Sequence, residues 1–140
     1  MKQKELKAYS EIVHSIASMS SCNLLKVGAI LVKNNSIISY GYNGTPYGED
    51  NQCECDEGLT KPEVIHAEHN MLLKCASSHN SSADATVVCT HSPCLRCAVY
   101  MYQAGIRDMY YVTEYKNTQG IEFLQKKGIR VEKIVDIVTE

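Results

Sequence analysis

The chain has 140 residues, 44% of them hydrophobic and 21% charged, which suits one compact domain over residues 1–140 and excludes a disordered chain. The formal net charge of −2 argues against a strongly basic nucleic-acid binder, while leaving room for a small anionic ligand held by a few local cations. The cysteine count is seven, an odd number, so at least one thiol has no partner within the chain.

The first twenty residues, MKQKELKAYSEIVHSIASMS, lack the unbroken apolar stretch of a signal peptide, and no apolar run approaches membrane-spanning length. The expected setting is a reducing cytoplasm, that of the host if the source is a virus. Clustered cysteines there point to metal or catalysis more than to disulfides.

Residues 3–18 place Leu6, Tyr9, Val13 and Ile16 at helical spacing, which predicts an amphipathic first helix. KVGAILVKNNSIISYGY reads as two strands joined by an Asn34-Asn35 hairpin turn. GTPYGEDNQCECDEGLTKP is a loop by its glycines, prolines and acids. A helix is expected from about Val64 to Ala76, then a buried strand in ATVVCTH. PCLRCAVYMYQAG follows as a helix, with Pro93 in its first turn and Gly105 past its end. DMYYVT is a strand, TQGIEFLQKKG a helix closed by Gly128, and IRVEKIVDIV a final strand. After the hairpin, strands alternate with helices, so the last three strands should pair in parallel through right-handed crossovers. The predicted architecture is three-layer α/β/α, a mixed five-stranded sheet with helices on both faces.

Two short stretches carry chemistry. In SPCLRC, Cys94 and Cys97 stand three apart, on one face at a helix N-terminus, where the dipole favours thiolates. One Cys-x-x-Cys pair supplies two ligands, and a zinc site needs a third. VIHAEHN supplies His66, at the start of the preceding helix, with Glu68 two residues on. In a parallel arrangement both helix starts lie at one edge of the sheet. Residues two apart on a helix point roughly 200° from each other, so both reach one site only if the helix points at it end-on. A closed structural zinc knuckle would need four Cys/His ligands. One Cys pair, one His and an adjacent carboxylate instead describe a site with an open position for metal-assisted hydrolysis. His69 reads as a packed or hydrogen-bonded residue, and Cys75 and Cys89 as small buried apolar ones.

His-x-Glu followed by Pro-Cys-x-x-Cys is the pattern of zinc-dependent nucleobase deaminases. HAE at 66–68, THSPCLRC at 90–97, QAGI at 103–106 and GYNGTPYG at 41–48 together resemble the deoxycytidylate (dCMP) deaminase family within the cytidine deaminase superfamily. The resemblance runs from about Ser21 to the last strand. It implies Zn2+ held by His66, Cys94 and Cys97, which supplies a hydroxide for attack on C4 of cytosine. Glu68 would be the catalytic proton shuttle, and dUMP and ammonia the products. It also implies substrate contacts from Asn43, Ala67, Ser92 and Tyr115. Leu24 stands where many relatives carry an arginine, which leaves Lys26 or Lys116 as candidates for the phosphate.

Family members are commonly hexamers, activated by dCTP and inhibited by dTTP with Mg2+. The resemblance puts the effector site in the loop of Gly41, Tyr42, Gly44 and Gly48. Some members bind a second zinc through cysteines matching Cys22 and Cys53. With Cys55 two residues on, and Val64 where those relatives place a carboxylate, the three cysteines form either a structural site or free thiols, and free thiols are favoured. The alternatives are a deaminase of another base, nucleoside or nucleotide on the same fold, and an inactive nucleotide-sensing zinc protein. A tRNA substrate would call for a basic face that the charge balance does not offer.

Overall fold

The computed structural model describes residues 1–134. Helix α1 (Gln3–Ala17) precedes a hairpin of β1 (Gly28–Lys33) and β2 (Ser36–Tyr42). Then come α2 (Ala67–Ala76), β3 (Thr86–His91), α3 (Leu95–Gln103), β4 (Asp108–Thr113), α4 (Gln119–Lys126) and β5 (Arg130–Lys133). Asn34 and Asn35 take φ of 51° and 62°, the left-handed pair that a two-residue hairpin turn requires and that asparagine tolerates.

The sheet order is β2-β1-β3-β4-β5. β1 pairs antiparallel with both β2 and β3, while β3, β4 and β5 run parallel. The mixed five-stranded sheet and the parallel pairing of its last three strands are therefore as predicted. Residues 135–138 of the expected last strand lie outside the described residues.

Side chains alternate across the pleat and build two cores. Ile30, Val32, Val88 and Tyr110 face α1, meeting Leu6 and Val13. Leu31, Val87, Cys89, Met109 and Tyr111 face the opposite side, against Met71 of α2, Met101 of α3 and Leu124 of α4. Cys75 and Cys89 are buried there, as expected of small apolar side chains.

Two helix starts differ from the sequence-based bounds. α2 begins at Ala67, with His66 as its extended N-cap residue (φ −66°, ψ 153°). α3 begins at Leu95 with Cys94 as N-cap, so Pro93 precedes the helix rather than opening it. Among the described residues, no helix is long and apolar enough to cross a membrane.

Candidate metal centre

Because β3 leads directly into α3 and lies beside β1, the starts of α2 and α3 meet at one edge of the sheet. His66 Nδ1 stands 3.5 Å from Cys94 Sγ and 3.4 Å from Cys97 Sγ. The three donor atoms lie within 4.8 Å of one another. Bonds of about 2.3 Å to sulfur and about 2.0–2.1 Å to nitrogen, at tetrahedral angles, give a ligand-to-ligand edge of roughly 3.6 Å. The triangle therefore fits a zinc ion and leaves one corner open. The Cys97 amide donates to Cys94 Sγ at 3.4 Å, steadying that sulfur as a thiolate.

The electrostatics agree. The Cys97 thiol and His66 beside it hold Cys94 down to about 3, against the cost of burial. The Cys94 thiol in turn raises His66 and, with burial, pushes Cys97 far above the ordinary thiol value. Three ligand atoms this close, with Cys94 held as a thiolate, form a set that a divalent cation would satisfy.

Glu68 sits at the second position of α2 and is 5% exposed. Burial raises its carboxyl to about 7, against the pull of His66. A carboxyl near neutrality both takes and gives protons at working pH. The angular problem of residues two apart disappears because His66 lies outside the helical turn. His66, with extended backbone, and Glu68 line the same cavity.

Glycines permit the close packing behind the site. A Cβ at Gly41 of β2 would run into the Ala67 carbonyl and the Met71 amide of α2. One at Gly120 of α4 would run into the Pro93 and Cys94 carbonyls. Gly41 thus has a packing role, which its reading as an effector residue did not include.

His66, Glu68 and Cys94 open into a cavity of about 260 Å³ that Asn43, Ala67 and Tyr115 also line. The Asn43 side chain pins the cavity wall, with Nδ2 donating to the Leu25 carbonyl at 2.8 Å and Oδ1 accepting from the Val27 amide at 2.9 Å. Ser92, fully buried, stands behind the cavity rather than in its lining, and its Oγ accepts from the Tyr115 amide at 2.9 Å. The Tyr115 ring stacks on His91 at 5.2 Å.

Lys26 is exposed and bonded to the Ser20 carbonyl, outside the lining. Among the described residues no lysine or arginine lines the cavity, whereas two carboxylates do, Glu54 and Glu68. His69, read as a packed residue, stacks on Tyr100 at 4.7 Å. A separate surface cavity of about 400 Å³ is lined by Tyr42, Gly44 and Gly48.

The cysteine readings need correction. Cys22 and Cys53 form a disulfide across 31 residues, so they are not the free thiols expected, and with Glu54 their donor atoms lie within 4.8 Å of one another, a group that could hold a metal ion if the bond were reduced. Cys55 stays a free thiol apart from them, and the acid beside the pair is Glu54. Neither the pairing nor Glu54 was read from the sequence. The only available signal was an acidic residue flanked by two cysteines within a loop.

Comparison with known proteins bears on the same residues. The chain matches a family model described as "Cytidine and deoxycytidylate deaminase zinc-binding region" over residues 3–113. The crystal structure of a dCMP deaminase from cyanophage S-TIM5 in complex with dCMP and dUMP is 46% identical. It superposes with a TM-score of 0.92, covering 95% of this chain and 98% of that one. ComE operon protein 2 of Bacillus subtilis is 35% identical over 128 residues, 86% of this chain and 66% of the relative. The deoxycytidylate deaminase of Schizosaccharomyces pombe is 32% identical over 139 residues, 91% of this chain but 43% of the relative. The chain thus spans less than two thirds of these two curated relatives. The matched region contains both helix starts and both halves of the ligand triangle, and by it the chain belongs to the cytidine and deoxycytidylate deaminase zinc-binding family.

Proposed function

We propose that residues 1–140 form a single domain that hydrolyses dCMP to dUMP and ammonia. The observation that carries this reading is the Glu68 carboxyl, buried and held near neutrality, in the same cavity as His66 and Cys94. The dCMP and dUMP bound to the cyanophage relative support the choice of substrate.

His66, Cys94 and Cys97 would hold the zinc, which lowers the pKa of water to near neutrality. Glu68 would take a proton from water and deliver it to N3 of the cytosine ring as the oxygen bonds to C4. It would then carry the proton of the new C4 hydroxyl to the amino group as the C4–N bond breaks, leaving a C4 carbonyl and ammonia. Ala67 and Asn43 confine the ring in the cavity, and Tyr115 closes one side. Lys26 or Lys116 would reach the phosphate from outside the lining. Tyr42, Gly44 and Gly48 would take dCTP or dTTP with Mg2+ in a hexameric assembly, a reading supported by the separate cavity those residues line.

A second reading, deoxycytidine as the preferred substrate, is favoured by the lack of a lysine or arginine in the described cavity lining. Ammonia release from zinc-loaded protein decides between them, given dCMP, deoxycytidine, CMP and dCTP, each with and without a low level of dCTP and Mg2+. Turnover of dCMP well above deoxycytidine is the expected result, and stimulation by dCTP reveals a working effector site. Turnover of none of them, with one zinc per chain, moves the assignment to another base or to a binding role. Glu68→Gln should keep zinc and lose roughly 10²–10⁴ in turnover.

A further inference from the structure

Part of the cavity wall comes from Cys22, Leu24, Leu25 and Val27 in the segment 20–27, which has no regular secondary structure of its own. Leu24 and Leu25 line the cavity while remaining 62% and 40% exposed, so they form an apolar rim rather than part of the core. Such a segment keeps its shape only if other groups satisfy its backbone. Asn43 holds Leu25 and Val27, and the disulfide holds Cys22. Asn23 and Leu24 lie between those fixed points. Both of their amides point at one carboxylate, that of Glu54.

Glu54 is 6% exposed. Its Oε2 accepts from the Asn23 amide at 3.1 Å and the Leu24 amide at 3.4 Å, and Oε1 lies 3.3 Å from the Asn23 amide. Its own backbone is fixed by pairing with Thr60 and by the Lys61 amide donating to the Cys53 carbonyl at 2.8 Å. A buried carboxylate is costly without hydrogen bonds, and two successive amides make a cradle for negative charge. The mechanism above uses Glu68 and leaves Glu54 without a task.

We propose that Glu54 is a positioning residue for substrate binding: it holds the Asn23 and Leu24 amides so that Leu24 and Leu25 close the rim over the bound nucleoside. The inference rests on the deaminase reading of the same cavity. It separates two jobs by element. Residues at the starts of α2 and α3 carry the chemistry, and the segment at 53–54 shapes the entrance. Loss of Glu54 should therefore weaken substrate capture more than the chemical step.

The test compares zinc-loaded wild type, Glu54→Ala and Glu54→Gln under non-reducing conditions, with the disulfide intact. Glu54→Ala should raise KM for the substrate about tenfold, the effect of losing one charge-assisted hydrogen bond's ordering, and change kcat by less than about twofold. Glu54→Gln keeps one acceptor oxygen and the side-chain volume, and should fall between. It also serves as the test variant if the alanine protein does not fold. Amide hydrogen exchange without substrate should be faster at residues 22–25 in the variants. Unchanged exchange overturns the anchoring, and an unchanged KM or a fall in kcat alone overturns the role in binding. If wild type turns over no cytosine substrate, the deaminase reading fails by itself, and the exchange comparison still decides whether Glu54 orders the rim.

Discussion

His91 shows how much one side chain can carry without touching the metal ligands. Its Nδ1 lies 2.8 Å from Thr90 Oγ1, an oxygen that also accepts from the Gly28 amide at 3.1 Å. The ring then stacks on Tyr115, which lines the cavity. Burial, with a smaller contribution from His14, holds His91 below its ordinary value of 6.5. The unfolded chain therefore binds more protons between the two values, and stability rises with pH across that window. The contribution is complete above 6.5 and is lost as pH falls through the folded-state value. His91→Phe keeps the stack and removes the titration. Urea midpoints measured over about pH 5 to 7 should fall with acidification more steeply for wild type than for the variant.

Among the elements, α4 has the least obvious bearing on the centre. Its second residue is Gly120, and the helix start presses on the Pro93 and Cys94 carbonyls. A methyl group there meets backbone, which cannot swing aside as a side-chain tip would. Gly120→Ala should destabilise by about 1–3 kcal/mol, the usual cost of overpacking, and should shift the loop that presents Cys94. The expected outcome is a lower melting temperature together with zinc below one per chain. Full zinc occupancy at an unchanged melting temperature would show that α4 does not brace the site. The same argument applies to Gly41, where β2 meets the first turn of α2 and holds Ala67 and Glu68 against the sheet.

At the scale of the whole molecule, the disulfide ties the segment after α1 to the long loop between β2 and α2. Closing a loop of about that size restricts the unfolded chain and stabilises the fold by about 3–4 kcal/mol in the chain-entropy account. Cys22→Ser should lower stability by that amount, measured by urea unfolding without reductant. Wild type should drop to the same level when a dithiol reductant is added, while the variant should not respond. A wild-type midpoint indifferent to reductant would mean that the bond does not contribute to stability.

The sequence by itself determined what depends on neighbours along the chain. The hairpin turn at Asn34-Asn35 and the apolar alternation of the strands are patterns of a few residues. So are His66 with Glu68 and Cys94 with Cys97, because fixed backbone geometry converts each short spacing into a direction. Strand and helix order then implied the parallel half of the sheet, and with it the meeting of the two helix starts.

Only the tertiary structure decided the contacts that join distant segments. In the sequence, Cys22 and Cys53 were two of seven cysteines, and the reducing compartment assumed for them argued against pairing. Glu54 was one acid among several in a polar loop, and Gly120 one small residue near a helix start. Ser92 is fully buried and Lys26 exposed, and neither is among the residues that line the cavity. The disulfide, the Glu54 contact and the packing at Gly120 turn on which backbone approaches which across 26 to 31 residues. That approach follows from burying two faces of one sheet at once, and no local spacing encodes it.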